Sequence, residues 1–183
     1  RQAWSFADFY SYVCRMIGQN GRRGALMVTM DVRHPDIENF VTMKHDLTKV
    51  TGANVSVKIS DDFMEAVKNK QKFKLRYPVE SHAPDYEKEV DAGVLWNLIV
   101  QSATETAEPG LMMWDNILNN LPANEYADKG FKTLTTNPCG EILFQLTILV
   151  VSSPSILRTS SRINSPTGQS SIIKSFPKSF QQA

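Results

Sequence analysis

Hydrophobic and polar residues follow two spacings along this chain, and each spacing predicts a different element. Apolar residues recur at helical spacing over 6–17 and 90–106, whereas they alternate with polar residues over 54–59, as in a strand. The whole pattern predicts helices over 6–17, 34–44, 60–68 and 90–106, and strands over 25–32, 54–59, 72–77 and 111–114, with residues 133–137 leading into Cys139. Strands that alternate with helices predict an α/β fold with parallel strands.

Local signals refine these elements. His34-Pro35-Asp36 places a proline and an acid at a helix start, and Ser60 followed by two aspartates is typical of a helix cap. The strand over 25–32 is rich in apolar residues and is predicted to be buried on both faces. Cys14 lies within the apolar pattern of the first helix, so it is predicted to be buried and unreactive.

Composition divides the chain near residue 145. Residues 1–145 carry 16 Lys and Arg against 19 Asp and Glu, a net charge of −3. Residues 146–183 carry four basic residues and no acidic ones, with ten serines against six in the preceding 145 residues. This serine-rich tail has the composition of a disordered segment or of a sequence never selected to fold.

Several functional classes are disfavoured by the same composition. The net charge of the whole chain is +1, which gives no argument for nucleic-acid binding, and no apolar run is long enough to span a membrane. Two cysteines are too few for a disulfide scaffold and fit a reducing cytoplasm. His34, His45 and His82 have no metal-ligand spacing, so no metal site is predicted.

Asn137-Pro138-Cys139-Gly140-Glu141 is the strongest candidate for chemistry. Alternation along an extended segment is expected to place the side chains of Asn137, Cys139 and Glu141 on one side. A thiol, an amide and a carboxylate would then face one substrate. Taken singly, each residue has a plainer interpretation as a buried thiol, a turn-forming amide or a surface carboxylate.

A second candidate is the glycine-bounded loop Gln19-Asn20-Gly21-Arg22-Arg23-Gly24. The guanidinium groups of Arg22 and Arg23 are suited to a phosphate or a base edge, because each can donate two parallel hydrogen bonds. The alternative is an ordinary basic loop that caps the end of a helix, which is the commoner arrangement.

These motifs together resemble the ribonucleotide reductases, and the Pro and Gly beside Cys139 are most similar to the adenosylcobalamin-dependent class. The resemblance covers about residues 6–145, in the family's order, through Gly21-Arg22-Arg23-Gly24-Ala25-Leu26-Met27, His34-Pro35-Asp36-Ile37-Glu38-Asn39-Phe40, Asn54-Val55-Ser56-Val57, Asp61-Asp62-Phe63-Met64, Glu108-Pro109-Gly110-Leu111 and the cysteine segment. It implies that residues 1–145 are the middle part of a catalytic ten-stranded α/β barrel domain.

The resemblance also implies roles for the candidate residues. Cys139 would form the thiyl radical that removes hydrogen from the ribose 3′ carbon, Glu141 would act as general base, and Asn137 would hold the substrate hydroxyls. Gln19, Arg22 and Arg23 would contact nucleotides in a loop that links an effector site to the substrate base.

Cofactor and partners are implied by the same resemblance. It implies adenosylcobalamin as cofactor, ribonucleoside diphosphate substrates, dNTP and ATP effectors, a thioredoxin-type reductant and a homodimer of the full-length protein. Cys14 matches neither redox cysteine of the family, so this polypeptide alone is expected to be an inactive fragment.

Two alternatives stay open: a reductase that uses a separate metal-containing radical subunit, and a non-catalytic nucleotide-binding remnant of a pseudogene. The tail bears on both. If its codons are read one base out of frame, residues 146–156 and 159–169 can yield strings similar to the segment beyond the radical cysteine in this family. We therefore expect a frameshift near Gln145.

Overall fold

The computed structural model describes residues 3–17 and 24–145, without the side chains of residues 3, 4 and 145. Gln19, Arg22, Arg23 and the serine-rich tail, 146–183, lie outside the described residues. The described elements are α1 (Ala3–Met16), β1 (Met27–Asp31), α2 (Ile37–Thr42), a 3-10 helix (Met43–His45), β2 (Asn54–Ile59), α3 (Asp61–Lys68), β3 (Lys72–Tyr77), β4 (Tyr86–Asp91), α4 (Ala92–Thr106), β5 (Gly110–Met113), α5 (Trp114–Asn120), a second 3-10 helix (Pro122–Lys129), β6 (Thr133–Thr136) and β7 (Leu143–Gln145).

A three-stranded parallel sheet organises the described part of the chain. Its order is β1-β2-β5, so β2 is central and both of its edges are hydrogen-bonded to a neighbour. Helices connect these strands, as parallel pairing requires. The prediction of parallel strands is therefore confirmed for β1, β2 and β5, but it is wrong for β3, which pairs antiparallel with β4. The predicted bounds of the strand over 54–59 match β2.

The hydrophobic core lies on one face of this sheet. Val57 and Ile59 of β2 are 0% and 1% exposed and belong to the same buried cluster as Phe63 of α3 and Ile99 of α4. The ring of Phe63 meets that of Phe73 edge to face, with centroids 5.0 Å apart. This dense packing makes the helical side of β2 the stable part of the structure.

The predicted burial of β1 on both faces is wrong. All five of its residues are only half-buried. The physical reason is position, because β1 is at the edge of the described sheet, whereas β2 has a strand on either side.

The first helix is confirmed, but it packs through small residues and not through its aromatic ones. Ala7 and Ser11 are buried, whereas Phe6, Phe9 and Tyr10 are each more than half exposed. The small residues are the ones that pack because α1 lies very close to the chain at Gly52. A Cβ on Gly52 would lie 2.9 Å from the carbonyl oxygen of Ser11.

Cys14 on the same helix is half-buried, so the prediction that it is buried is too strong. A Cβ on Gly24 would lie 2.8 Å from the Cys14 Sγ, which means that the chain passes directly over this thiol.

A charged hairpin replaces the beginning of the helix that was predicted from residue 90. β4 pairs antiparallel with β3, and Lys74 and Glu87 form one of the ion pairs across it. The helix α4 begins only at Ala92, where the carboxylate of Asp91 accepts a hydrogen bond from the Val94 N–H at 2.9 Å. That side chain caps the helix and ends the strand.

None of the helices within the described ranges 3–17 and 24–145 is long and apolar enough to cross a membrane.

Candidate functional site

The predicted catalytic residues lie in the connection between the antiparallel strands β6 and β7. They are Asn137, Cys139 and Glu141. The Asn137 N–H donates to the Ile142 carbonyl at 3.0 Å, and the Gly140 N–H donates to the Asn137 carbonyl at 3.1 Å. The Ile142 N–H donates to the Asn137 side-chain oxygen at 3.0 Å. Residues 137–142 therefore form a closed turn, which we call the cysteine turn.

The expectation of an extended segment with three side chains on one side is wrong. Gly140 has φ of 83°, a left-handed conformation that reverses the chain and that glycine adopts at little cost. Asn137, Cys139 and Glu141 therefore belong to one turn, and strand alternation plays no part over these residues.

The three side chains differ in how they are presented. Those of Cys139 and Glu141 are exposed, whereas Asn137 is half-buried. Because the Asn137 oxygen accepts the Ile142 N–H, the group that Asn137 can offer to a ligand is its NH₂ donor. The turn thus combines an accessible thiol, an accessible carboxylate and an oriented amide donor.

Two side chains of β2 reach the strand and turn that carry the cysteine. The Asn54 side-chain NH₂ donates to the carbonyl of Pro138 at 2.8 Å, and the Lys58 Nζ donates to the carbonyl of Leu134 at 2.5 Å. Asn54 occurs in a motif of the resemblance, but the sequence assigned it no role, and Lys58 was not singled out. Contacts across 84 and 76 residues leave no trace in a local pattern.

Lys58 has an aromatic and an acidic neighbour on the sheet. Its Nζ lies 3.8 Å from the centre of the Trp114 ring, and Asp31 is its register partner on β1. Burial lowers the pKa of Lys58, although the Asp31 carboxylate opposes this. Burial likewise raises the pKa of Asp31, against the backbone hydrogen bond from Arg33 and the charges of Arg33 and Lys58. Both shifts have their largest cause in desolvation, which disfavours charge on either group.

A cavity of about 560 Å³ opens beside the amino-terminal end of β2. Arg15, Gly24, Lys44, Asn54 and Glu108 are among its lining residues. Asn54 therefore belongs both to this cavity and to the hydrogen bond that holds Pro138. The loop predicted to bind nucleotides ends at Gly24, on the wall of the cavity.

Glu108 closes one side of the cavity. One of its oxygens accepts the Val55 N–H at 2.8 Å, and the other pairs with the Lys44 Nζ at 2.9 Å. The same Lys44 Nζ donates to the carbonyls of Val50 and Ala53 at 2.7 and 2.8 Å. The wall is thus a connected polar network.

Across the described ranges, no group of three or more His, Cys, Asp or Glu residues is placed to hold a metal ion.

Comparison with known proteins identifies the family of this fold. Residues 2–148 match the family described as "Ribonucleotide reductase, barrel domain". The chain therefore belongs to the ribonucleotide reductase barrel-domain family. The family and the α/β fold class predicted from the sequence are both confirmed.

The relatives include two bacterial or archaeal enzymes and one viral protein. A vitamin B12-dependent ribonucleoside-diphosphate reductase of Thermoplasma acidophilum is 34% identical over 75% of this chain and 17% of its own length. One of the same name from Mycobacterium tuberculosis is 33% identical over 75% of this chain and 19% of its own length. A putative ribonucleoside-diphosphate reductase large subunit of Frog virus 3 is 32% identical over 66% of this chain and 21% of its own length. The chain spans about a fifth of the length of these relatives.

Proposed function

We propose that this chain is part of a protein that reduces ribonucleoside diphosphates to 2′-deoxyribonucleotides at Cys139. The observation that carries the proposal is the cysteine turn, which gathers a thiol, a carboxylate and an amide donor in a member of the reductase barrel family. The names of the Thermoplasma and Mycobacterium relatives support the diphosphate substrate.

Each residue of the turn has a task in this reaction. Cys139, after losing its hydrogen atom, takes the hydrogen from the ribose 3′ carbon, and its exposure leaves it open to a substrate. Glu141 removes the proton of the 3′ hydroxyl, which requires a carboxylate within hydrogen-bond reach, while the 2′ hydroxyl takes up a proton and leaves as water. The two electrons of the reduction come from the redox cysteine pair of the full-length protein, which is oxidised to a disulfide and regenerated by the thioredoxin-type reductant. Asn137 donates from its NH₂ to a substrate hydroxyl, since its oxygen is occupied by Ile142.

Adenosylcobalamin is the proposed cofactor, as the names of the relatives suggest. The described residues are compatible with it, because Cys139 is exposed and a Cβ on Gly140 would meet no atom within 4 Å. A large flat group could therefore approach this side of the turn. The chemistry that the cofactor supplies when bound is homolysis of its cobalt–carbon bond, beside a thiol that the protein positions.

Nucleotide recognition is proposed for the cavity and for the loop over residues 19–24. Gly24 and Arg15 line the cavity, and Gln19, Arg22 and Arg23 lie within the five residues before Gly24 in sequence. The proposal assigns these three loop residues to the substrate base and to dNTP or ATP effectors. It further includes a thioredoxin-type reductant, a homodimer of the full-length protein and a location in the cytoplasm, where Cys14 and Cys139 stay free thiols.

The test is turnover by the full-length protein. Cys139→Ser should bind nucleotide normally and form no deoxyribonucleotide, because a hydroxyl cannot replace the thiol in hydrogen transfer. Glu141→Gln should bind substrate but turn over slowly, because an amide cannot accept the hydroxyl proton. Cys14→Ser is the matched control and should keep full activity. Deoxyribonucleotide formation by Cys139→Ser would refute the assignment.

A second candidate is a reductase whose radical comes from a separate metal-containing subunit. It is favoured by the Frog virus 3 relative, which is named a large subunit. Activity that requires added cobalamin and no second protein supports the first proposal. Activity without cobalamin, restored by a metal-loaded partner, supports the second.

The tail over 146–183 is proposed to be out of frame from near Gln145, whereas 1–145 belongs to the barrel domain. Sequencing DNA through this junction tests the proposal. Codons that cannot encode the second reading would overturn this proposal. A frameshift that is present in the gene itself would favour the non-catalytic nucleotide-binding remnant of a pseudogene.

A further inference from the structure

The face of β2 opposite the core is polar, and it faces the strand that carries the cysteine turn. Val55, Val57 and Ile59 are buried in the core cluster. Because strand side chains alternate, Asn54 and Lys58 project from the other face. These are the two residues whose side chains bond to Pro138 and Leu134.

The spacing of the two contacts is matched. A step of four residues along β2, from Asn54 to Lys58, corresponds to a step of four residues backwards, from Pro138 to Leu134. The segment that carries Cys139 therefore runs antiparallel along β2. Two anchors about 13 Å apart along an extended strand fix both the position and the direction of a segment laid over it.

Backbone pairing cannot provide this attachment. β2 is the central strand, and its two edges are occupied by β1 and β5. A segment that crosses its face can be hydrogen-bonded to it only through side chains. Asn54 and Lys58 have the length and the donors for that task, and each donates to a backbone carbonyl, whose position is independent of rotamers in the turn.

The contact from Asn54 is the more consequential for the thiol. The Pro138 carbonyl belongs to the peptide group that joins Pro138 to Cys139. Rotating that peptide would move the Cα of Cys139 and swing its Sγ, so a hydrogen bond to this oxygen holds the thiol in place. Lys58 holds the other end of the segment, and its aliphatic stem and Nζ are steadied by the ring of Trp114.

From these contacts we infer that Asn54 and Lys58 are positioning residues, which hold the cysteine turn over the face of β2 and so set where the Cys139 thiol stands. Neither residue needs to touch substrate for this role. The catalytic meaning of the inference rests on the proposed function, whereas the mechanical role does not.

A nitroxide spin label on Cys139, in the full chain with Cys14→Ala, tests the mechanical role. In the Asn54→Ala variant the mobile component of the spectrum should rise roughly five- to tenfold relative to the immobile one, the factor expected for one lost hydrogen bond. Lys58→Met should give a smaller rise, because its anchor is farther from the label. Asn54→Gln and Lys58→Arg keep a donor and should restore part of the immobile component.

The matched control is Asn120→Ala. The Asn120 side chain also donates to a backbone carbonyl at 2.8 Å and is exposed, but its partner is Asn116, within its own helix. Its spectrum should equal that of the parent chain. Asn54→Asp keeps the size of the side chain but loses the donor, so its label spectrum should show the same rise in the mobile component as Asn54→Ala. This variant separates the lost hydrogen bond from any effect of the smaller alanine on folding.

Turnover of the full-length protein is the second readout. Lys58→Met should lower kcat with little change in KM for the nucleotide, because Lys58 is outside the cavity lining and a misplaced thiol slows the reaction without weakening binding. An unchanged label spectrum in both Asn54→Ala and Asn54→Asp overturns the inference, even if the unlabelled full-length protein is an active reductase. A label that these variants make mobile, together with no reductase activity in the unlabelled full-length parent, supports the mechanical role and overturns the proposed function instead.

Discussion

The two faces of β2 perform different tasks with the same six residues of strand. On one face, Val57 and Ile59 are almost completely buried beneath the helices. On the other, Asn54 and Lys58 each donate one hydrogen bond to the segment that carries Cys139. The apolar face has many non-directional contacts, whereas the polar face has two directional ones.

This difference separates stability from geometry. Apolar burial contributes free energy of folding in proportion to area, and it tolerates small shifts. A hydrogen bond contributes less net free energy but weakens steeply when its angle changes, so it specifies a position. A strand period of two residues lets one strand hold both kinds of contact without compromise.

Breaking the apolar face should have the largest effect on stability. Ile59 is 1% exposed, so Ile59→Ala should lower the free energy of unfolding by about 2–5 kcal/mol through lost burial and a residual cavity. Urea denaturation of the chain measures this change. Under conditions where the variant stays folded, a label on Cys139 should be as immobile as in the parent.

Leu47→Ala is the control, because Leu47 is 79% exposed, and it should change the free energy of unfolding by less than about 0.5 kcal/mol. If Ile59→Ala frees the label as much as Asn54→Ala does, the two faces are not independent and the comparison fails.

Glu108 bonds to the backbone of β2, and its removal should have an intermediate effect on stability. It accepts the Val55 N–H at the start of β2 and pairs with Lys44, so Glu108→Ala leaves a backbone donor and a half-buried ammonium group without this partner. The expected loss in the free energy of unfolding is about 1–3 kcal/mol. Glu108→Gln should lose less, because its amide oxygen can still accept from Val55.

Glu105→Ala is the matched control for this network. Glu105 is about half exposed and lies 3.7 Å from the His45 Nε2, so its removal should cost less than about 1 kcal/mol. Equal losses in Glu105→Ala and Glu108→Ala would show that the network beside the cavity contributes nothing specific.

Sequence patterns found the elements whose own residues determine them. The strands over 54–59 and 72–77 were predicted with the bounds that the structure has, because their apolar alternation is strong. β4 was missed because Tyr86–Asp91 is mostly charged, and it becomes a strand only by pairing with β3. The apolar pattern of α1 predicted a helix but not the side that packs, because close approach to Gly24 and Gly52 favours the small residues of the helix.

The candidate site divides in the same way. Asn137, Cys139 and Glu141 lie within one five-residue segment, so the sequence alone could group them. Their turn depends on where the Asn137 side-chain oxygen and the Gly140 backbone point, which a residue pattern does not contain. The anchors of β2 depend on contacts between distant segments, which only the folded chain brings together.

The smallest expected effect concerns a polar contact away from β2. The His34 Nδ1 accepts the Asp36 N–H at 3.0 Å, and its ring meets that of Tyr77 edge to face. Burial lowers the pKa of His34 below its usual 6.5, although the carboxylates of Asp36 and Asp31 oppose the shift. A protonated ring cannot accept this hydrogen bond.

The sign of the pH dependence is set by that lowered pKa. Between the pKa of folded His34 and the unfolded value near 6.5, the unfolded chain binds more protons, so stability rises with pH. The contribution is therefore complete above about pH 6.5 and is lost as the pH falls through the folded pKa.

His34→Asn can accept from the same N–H without titrating, so its urea midpoint should fall less between about pH 7.5 and 5.5 than that of the parent. His82→Asn, at an exposed histidine, should keep the parent's slope. If the urea midpoint of His34→Asn changes with pH as much as that of the parent, the pH dependence belongs to other groups. If a label on Cys139 becomes mobile at low pH only when His34 is present, His34 also helps to position the cysteine turn.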